Sequence, residues 1–187
     1  MPKIADIQET PNPNAVKFIL REAVSYGTSH SFDSAEKAKD DKLARSLFDF
    51  SDVVSVFYMD KMITVEKTDE ADWDEILPLL AVPIRAAEAV QTTNGAAAKE
   101  VGGAIGAVVA NDNPKIAEIN ALLDDRIRPY LASDGGWLEV LDLEDKTLKI
   151  RYQGACGSCP SSLTGTLAAI ENMIKDEIDS EIEVVAV

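Results

Sequence analysis

The chain has 187 residues, two of them cysteine and one histidine, and a formal net charge of −15 at pH 7. That length allows one large domain or two small ones. The acid excess is spread over both halves, which argues against non-specific binding to nucleic acid or to an anionic membrane, because phosphates are repelled. No run approaches the ~20 consecutive apolar residues that cross a bilayer; the stretch 102–110 is apolar but short and rich in Gly and Ala. Met1-Pro2-Lys3-Ile4 lacks the charged-then-apolar pattern of a secretory signal. No Arg/Ser-rich transit segment is visible, so a cytoplasmic location is expected, with a processed organellar form as the alternative.

Three segments differ in character: a first domain over 1–90, an Ala/Gly-rich linker over 91–113 and a second domain over 114–187. In the first, Ala15 to Leu20 follows the turn-prone Thr10-Pro11-Asn12-Pro13-Asn14 and is predicted as a strand. Leu43, Leu47 and Phe48 fit one face of a helix. Val53 to Tyr58 and Met62 to Glu66 are β-rich runs joined at Asp60-Lys61, which predicts a hairpin. Asp72 to Glu75 has the spacing of a capping box, and Pro78 and Pro83 are expected to kink or restart the helix that follows. Nothing in this domain groups catalytic residue types, and His30 is given no role.

The linker carries Asn94-Gly95, Gly102-Gly103 and many alanines. Few of its side chains could anchor a core, so mobility is expected. In the second domain Asn113-Pro114 is a helix start, with Pro at the first helical position. Ile116, Ile119, Leu123, Ile127 and Tyr130 then recur at helical spacing. After the turn Asp134-Gly135-Gly136, strands are predicted over Trp137–Leu143 and Thr147–Tyr152, with Leu148, Ile150 and Tyr152 on the buried face. Leu163, Leu167, Ile170 and Ile174 mark another helical stripe, and Ile182, Val184 and Ala186 a final strand. The fold class is α+β with two small domains, the C-terminal one α-β-β-α-β with helices packed on a small sheet.

The informative run is Gly154-Ala155-Cys156-Gly157-Ser158-Cys159-Pro160, between a strand and a helix. Cysteines at this spacing can aim both sulfurs at one centre if the loop turns tightly, and Gly157 would allow the turn. Pro160 suits the first turn of the next helix. Cys159 would then sit at a helix N-terminus, where the dipole and free N–H groups favour thiolate, the form that binds soft metals. Two thiolates are too few for a closed cluster or zinc site, each of which takes four ligands. A two-fold dimer sharing one centre is the simplest completion. On spacing alone, an iron–sulfur site, a dithiol–disulfide redox pair, a shared zinc and two inert thiols all stay open. The redox reading is weighed down by an expectation that the strand before the loop belongs to a hairpin and not to a βαβ unit. Asp134 is read as a turn residue whose carboxylate bonds local N–H groups. Ser158, Ser161 and Ser162 are read as helix caps or as donors to cluster sulfur.

Gly154-Ala155-Cys156-Gly157-Ser158-Cys159-Pro160-Ser161-Ser162, with Thr166-Leu167 and Ile170-Glu171, resembles the signature of the Nfu family, also known as the NifU-like C-terminal domain. Arg128-Pro129-Tyr130-Leu131 and Asp134-Gly135-Gly136 resemble the same family's segment before its first strand. Thr10 to Phe18, Val53 to Phe57, Ile63-Thr64-Val65 and Asp72-Trp73 resemble its N-terminal domain. Two departures are Trp137, where a polar or acidic residue is expected, and Ala168-Ala169 in place of a more polar pair. The resemblance implies a scaffold or carrier, not an enzyme. Cys156 and Cys159 would be the metal and cofactor ligands, and a [4Fe–4S] cluster would be bridged between two subunits. It also implies an upstream cluster-assembly scaffold as donor and apo iron–sulfur proteins as clients; the charge balance leads to no nucleic-acid or membrane partner being expected. The competing function is a thiol–disulfide oxidoreductase using the same pair.

Overall fold

The computed structural model describes residues 2–87, 104–105, 113–158 and 160–187; side chains are described for all of these except 104–105, 158 and 160–164. Most of the expected linker therefore lies outside the described residues. The chain divides into two compact units, 1–106 and 107–187.

The first unit is built on a six-stranded antiparallel sheet. Its strands are β1 (Ile4–Glu9), β2 (Ala15–Leu20), β3 (Ser29–Phe32), β4 (Val53–Met59), β5 (Met62–Lys67) and β6 (Ala104–Ile105), in the spatial order β1-β2-β5-β4-β3-β6. Val16, Phe18 and Leu20 alternate along β2, so they share one face. That face is covered by α1 (Lys42–Phe48) and α2 (Trp73–Ala86) through Leu43, Ala44, Leu47, Ile76, Leu80 and Ile84. Both helices start on an aspartate cap: Asp41 accepts from the Ala44 N–H at 2.8 Å and Asp72 from the Asp74 N–H at 2.9 Å. α2 runs through Pro78 and Pro83 without ending, so of the expected kink or restart the restart does not occur.

The Thr10–Asn14 turn is a structural device. The Thr10 hydroxyl lies 2.9 Å from both the Asn12 and the Ala15 carbonyl oxygens, and Asn12 Oδ1 accepts from the Asn14 N–H at 3.0 Å. The Trp73 indole donates to the Pro13 carbonyl at 3.0 Å, tying the turn to the start of α2.

The second unit begins with α3 (Pro114–Arg126) and α4 (Arg128–Ser133), followed by the antiparallel pair β7 (Gly136–Glu144) and β8 (Thr147–Gly154). Asp145 and Lys146, both at positive φ, make the two-residue turn between these strands. After the short helical turn α5 (Ala155–Ser158), α6 (Pro160–Glu177) crosses over to β9 (Glu183–Ala186), which pairs parallel to β8. Thus β8 belongs to a hairpin and also to a βαβ unit, so the topological objection to a redox pair does not hold. The core joins Ile116, Ile119 and Leu123 of α3, Leu138 and Val140 of β7, Leu148, Ile150 and Tyr152 of β8, and Ile170 and Ile174 of α6. Asn113 caps α3 as expected, accepting from the Lys115 N–H at 3.1 Å. Tyr130 departs from the predicted stripe and is 72% exposed. Pro129 cannot continue the α3 hydrogen-bond ladder, and the break at Ile127 (φ −115°, ψ −52°) turns α4 away from the α3 register.

His30 lies on β3, stacked 4.5 Å from the Tyr58 ring, and its Nε2 is buried without a hydrogen-bond partner among the described residues. Burial lowers its pKa below the ordinary 6.5, against the opposing pull of the Asp41 carboxylate. The folded form therefore takes up its proton at lower pH than the unfolded chain. The part of this unit's stability linked to His30 is full above about pH 6.5 and falls as pH drops below it. Denaturant midpoints measured from pH 7.5 to 5 should show this fall, and His30→Phe, which keeps the stack and removes the titration, should flatten it.

Candidate metal centre

Cys156 sits in α5, directly after β8, and is 2% exposed. Its sulfur rests on the backbone of Gly136 at the start of β7. A Cβ placed on Gly136 would lie 2.4 Å from Cys156 Sγ, 2.8 Å from its Cβ and 2.9 Å from the Gln153 carbonyl oxygen. Only a residue without a side chain fits there. The strand ends meet because Gly136 pairs with Gly154 across the ladder, and the Ala155 N–H donates to the Gly135 carbonyl at 3.2 Å. Gly154 takes φ +67°, the left-handed turn that sends the chain from β8 into α5. Gly157, expected to make the tight turn, has no positive φ; a Cβ there would meet the Tyr152 carbonyl oxygen at 3.4 Å.

Cys159 lies outside the described residues, as do the side chains of Ser158, Ser161 and Ser162. Pro160 is the first residue of α6, where its missing N–H costs no helical bond. Asp134 closes α4, with its backbone N–H 3.1 Å from the Tyr130 and Leu131 carbonyls. Its carboxylate is 3.4 Å from the Ser133 hydroxyl.

Sequence reasoning gave Arg128 no physical role. Its guanidinium is buried and makes three hydrogen bonds: Nε donates to the Leu138 carbonyl at 3.0 Å, Nη1 to Asp124 at 2.7 Å and Nη2 to Asn120 at 2.8 Å. It also lies 5.3 Å from the centroid of Trp137, a half-buried aromatic on β7. One side chain thus ties α3, α4 and β7 together and fixes the strand end on which Cys156 rests. An arginine directly before a proline was the available signal. Nearby, burial raises the pKa of Glu139, against the opposing charges of Arg151 and Arg128. Gln153 donates to Glu139 at 3.2 Å.

Among the described residues, no group of three or more His, Cys, Asp or Glu side chains is assembled around a common point. Two features nevertheless suit a sulfur-ligated centre. One is the thiol held on bare backbone. The other is the Tyr152 hydroxyl, buried without a hydrogen-bond partner among the described residues.

A family model described as the NifU-like domain matches residues 119–185, and one described as the scaffold protein Nfu/NifU N-terminal domain matches residues 4–88. The chain belongs to the Nfu family. NifU-like protein 5, mitochondrial, of Arabidopsis thaliana is 35% identical over 174 residues, covering 89% of this chain and 62% of that protein. NFU1 iron-sulfur cluster scaffold homolog, mitochondrial, of Homo sapiens is 35% identical over 176 residues, covering 90% of this chain and 65% of that protein. This Nfu-family chain therefore spans a little over three fifths of the length of these relatives. A solution structure of a NifU-like protein from Saccharomyces cerevisiae aligns with a TM-score of 0.43 at 21% identity, over 47% of this chain and 84% of that one. The expected cytoplasmic location is corrected by the relatives, which are named as mitochondrial proteins. The residues at the start of the sequence do not decide location. No helix among the described residues is long and apolar enough to cross a membrane.

Gly136→Ala should force Cys156 off β7. An overpacking cost of about 1–3 kcal/mol in denaturant unfolding is expected. In a Cys159→Ser background, Cys156 should label faster with a maleimide than it does with Gly136 in place.

Proposed function

We propose that this chain is an iron–sulfur cluster carrier. It accepts a [4Fe–4S] cluster from an upstream assembly scaffold and hands it to apo-proteins. Cys156 and Cys159 of each of two copies supply the four ligands. The observation that carries the reading is the seating of Cys156 at the junction of β8 and α5, within the stretch matched by the NifU-like family model. The names of the curated relatives, cluster scaffolds among them, support it. The chain has two cysteines in all, so a four-thiolate site needs a second copy.

Cys156 is buried, so loading requires the Ala155–Ser158 turn to ease off β7 far enough for iron to reach Sγ. Transfer then proceeds by ligand exchange. A client thiol loses its proton and its thiolate bonds to iron. One carrier thiolate leaves that iron and takes up a proton, and four such exchanges release the cluster intact. No electrons move and no bond in an organic substrate breaks, so the protein is not an enzyme on this reading. The N-terminal unit, in which the notable Thr10–Asn14 and Asp72-Trp73 motifs serve the fold, is assigned to recognition of clients and donors.

Anaerobic reconstitution with ferrous iron and sulfide should give a brown protein, and Cys156→Ser should lose at least nine tenths of the bound iron. A colourless product that forms a reversible Cys156–Cys159 disulfide would favour the oxidoreductase, and bound zinc would favour a zinc site. Removal of residues 1–90 should slow transfer to at least one apo-client while leaving cluster uptake in place; unchanged transfer to every client would count against the recognition role.

A further inference from the structure

Tyr152 is the one tyrosine in the apolar cluster of the second unit. Its side chain lies on the inner face of β8 beside Leu148 and Ile150, and it pairs directly with Leu138 on β7. Gly136 is two residues before Leu138, so its missing side chain would project from the same inner face. Cys156 Sγ occupies that space. Tyr152 and Gly136 are thus diagonal neighbours across the ladder, a separation that an aromatic side chain spans. The hydroxyl is fully buried and has no hydrogen-bond partner among the described residues. Burial first, and then the charge at Cys156, push its pKa up to about 12. A phenol is protonated at neutral pH and so is able to donate. A phenylalanine would fill the same space without stranding a polar atom, so nothing among the described residues accounts for the oxygen.

We propose that the Tyr152 hydroxyl is a hydrogen-bond donor kept for sulfur held at Cys156, either its thiolate or the adjoining sulfide of a bound cluster. This deepens the carrier reading and rests on Cys156 being a ligand. Hydrogen bonds to cluster and thiolate sulfur stabilise the more negative, reduced state and raise the reduction potential. They also strengthen the hold on sulfur that carries negative charge. Tyr152 then helps to hold the cargo through its sulfur, and its hydroxyl is not itself exchanged.

Tyr152→Phe in the full-length chain separates this role from a packing role. The apo protein should unfold at the same temperature or higher, because a stranded hydroxyl has been removed. After reconstitution, the variant should lose its cluster to a chelator about tenfold faster, and its reduction potential should be more negative than that of the parent. Equal loss rates and equal potentials would overturn the proposal, and so would a large drop in apo stability, which would show that the hydroxyl already has a partner. If neither protein takes up a cluster, the carrier reading fails and this proposal falls with it. If the parent loads and the variant behaves identically, only the role of Tyr152 falls.

Discussion

A sulfur atom resting on bare backbone sets the geometry of the second unit. Cys156 Sγ occupies the space where any side chain on Gly136 would be. For that contact to exist, β7 and β8 must end level with one another, which the Gly136–Gly154 pair achieves. The chain must also turn sharply out of β8, which the left-handed Gly154 permits. β7 must be held in place along its length as well. Arg128 does this from the helical side, with one bond into the Leu138 carbonyl and two into α3. The Asp134-Gly135-Gly136 and Gly154–Pro160 motifs lie far apart in sequence, yet they form two halves of one contact.

Much of this was legible from residue order, for identifiable reasons. β2, β4 and β5 follow strong turn chemistry and contain apolar runs, and their observed bounds differ from the reading by a residue or so. β1 was missed because Ile4-Ala5-Asp6-Ile7-Gln8-Glu9 is an edge strand, mostly exposed, without a buried alternating face. β3 was missed because Ser29-His30-Ser31-Phe32 is polar, and its burial comes from strands paired across the sheet. Tyr130 fitted a helical period that the Ile127 break interrupts. The cysteine pair was plain in the sequence, but the partnership of Cys156 with Gly136 was not. A glycine's role as a seat for sulfur depends on which strand end meets which turn. The Tyr152 hydroxyl, without a partner among the described residues, was hidden in the same way: in sequence it is one more apolar-face residue of β8.

Charge shapes how such a carrier would assemble. Each copy carries −15, so two copies repel one another at any distance the ionic atmosphere does not screen. On the proposed reading, bonds from iron to four thiolates hold the pair together against that repulsion. Once a client's thiolates replace them, repulsion helps the emptied copies part. The same excess acid would favour encounter with basic faces on donors or clients. On the same reading the buried thiol adds a second control, since Cys156 would be shielded from bulk solvent until the α5 turn eased away.

The central claim is that two chains share one cluster through Cys156 and Cys159. Mass measurement under non-denaturing conditions, on apo and anaerobically reconstituted full-length protein, tests it most directly. The account predicts a loaded species whose mass equals two chains plus four irons and four sulfides. A loaded species containing one chain, or a metal complement of zinc without sulfide, would contradict it.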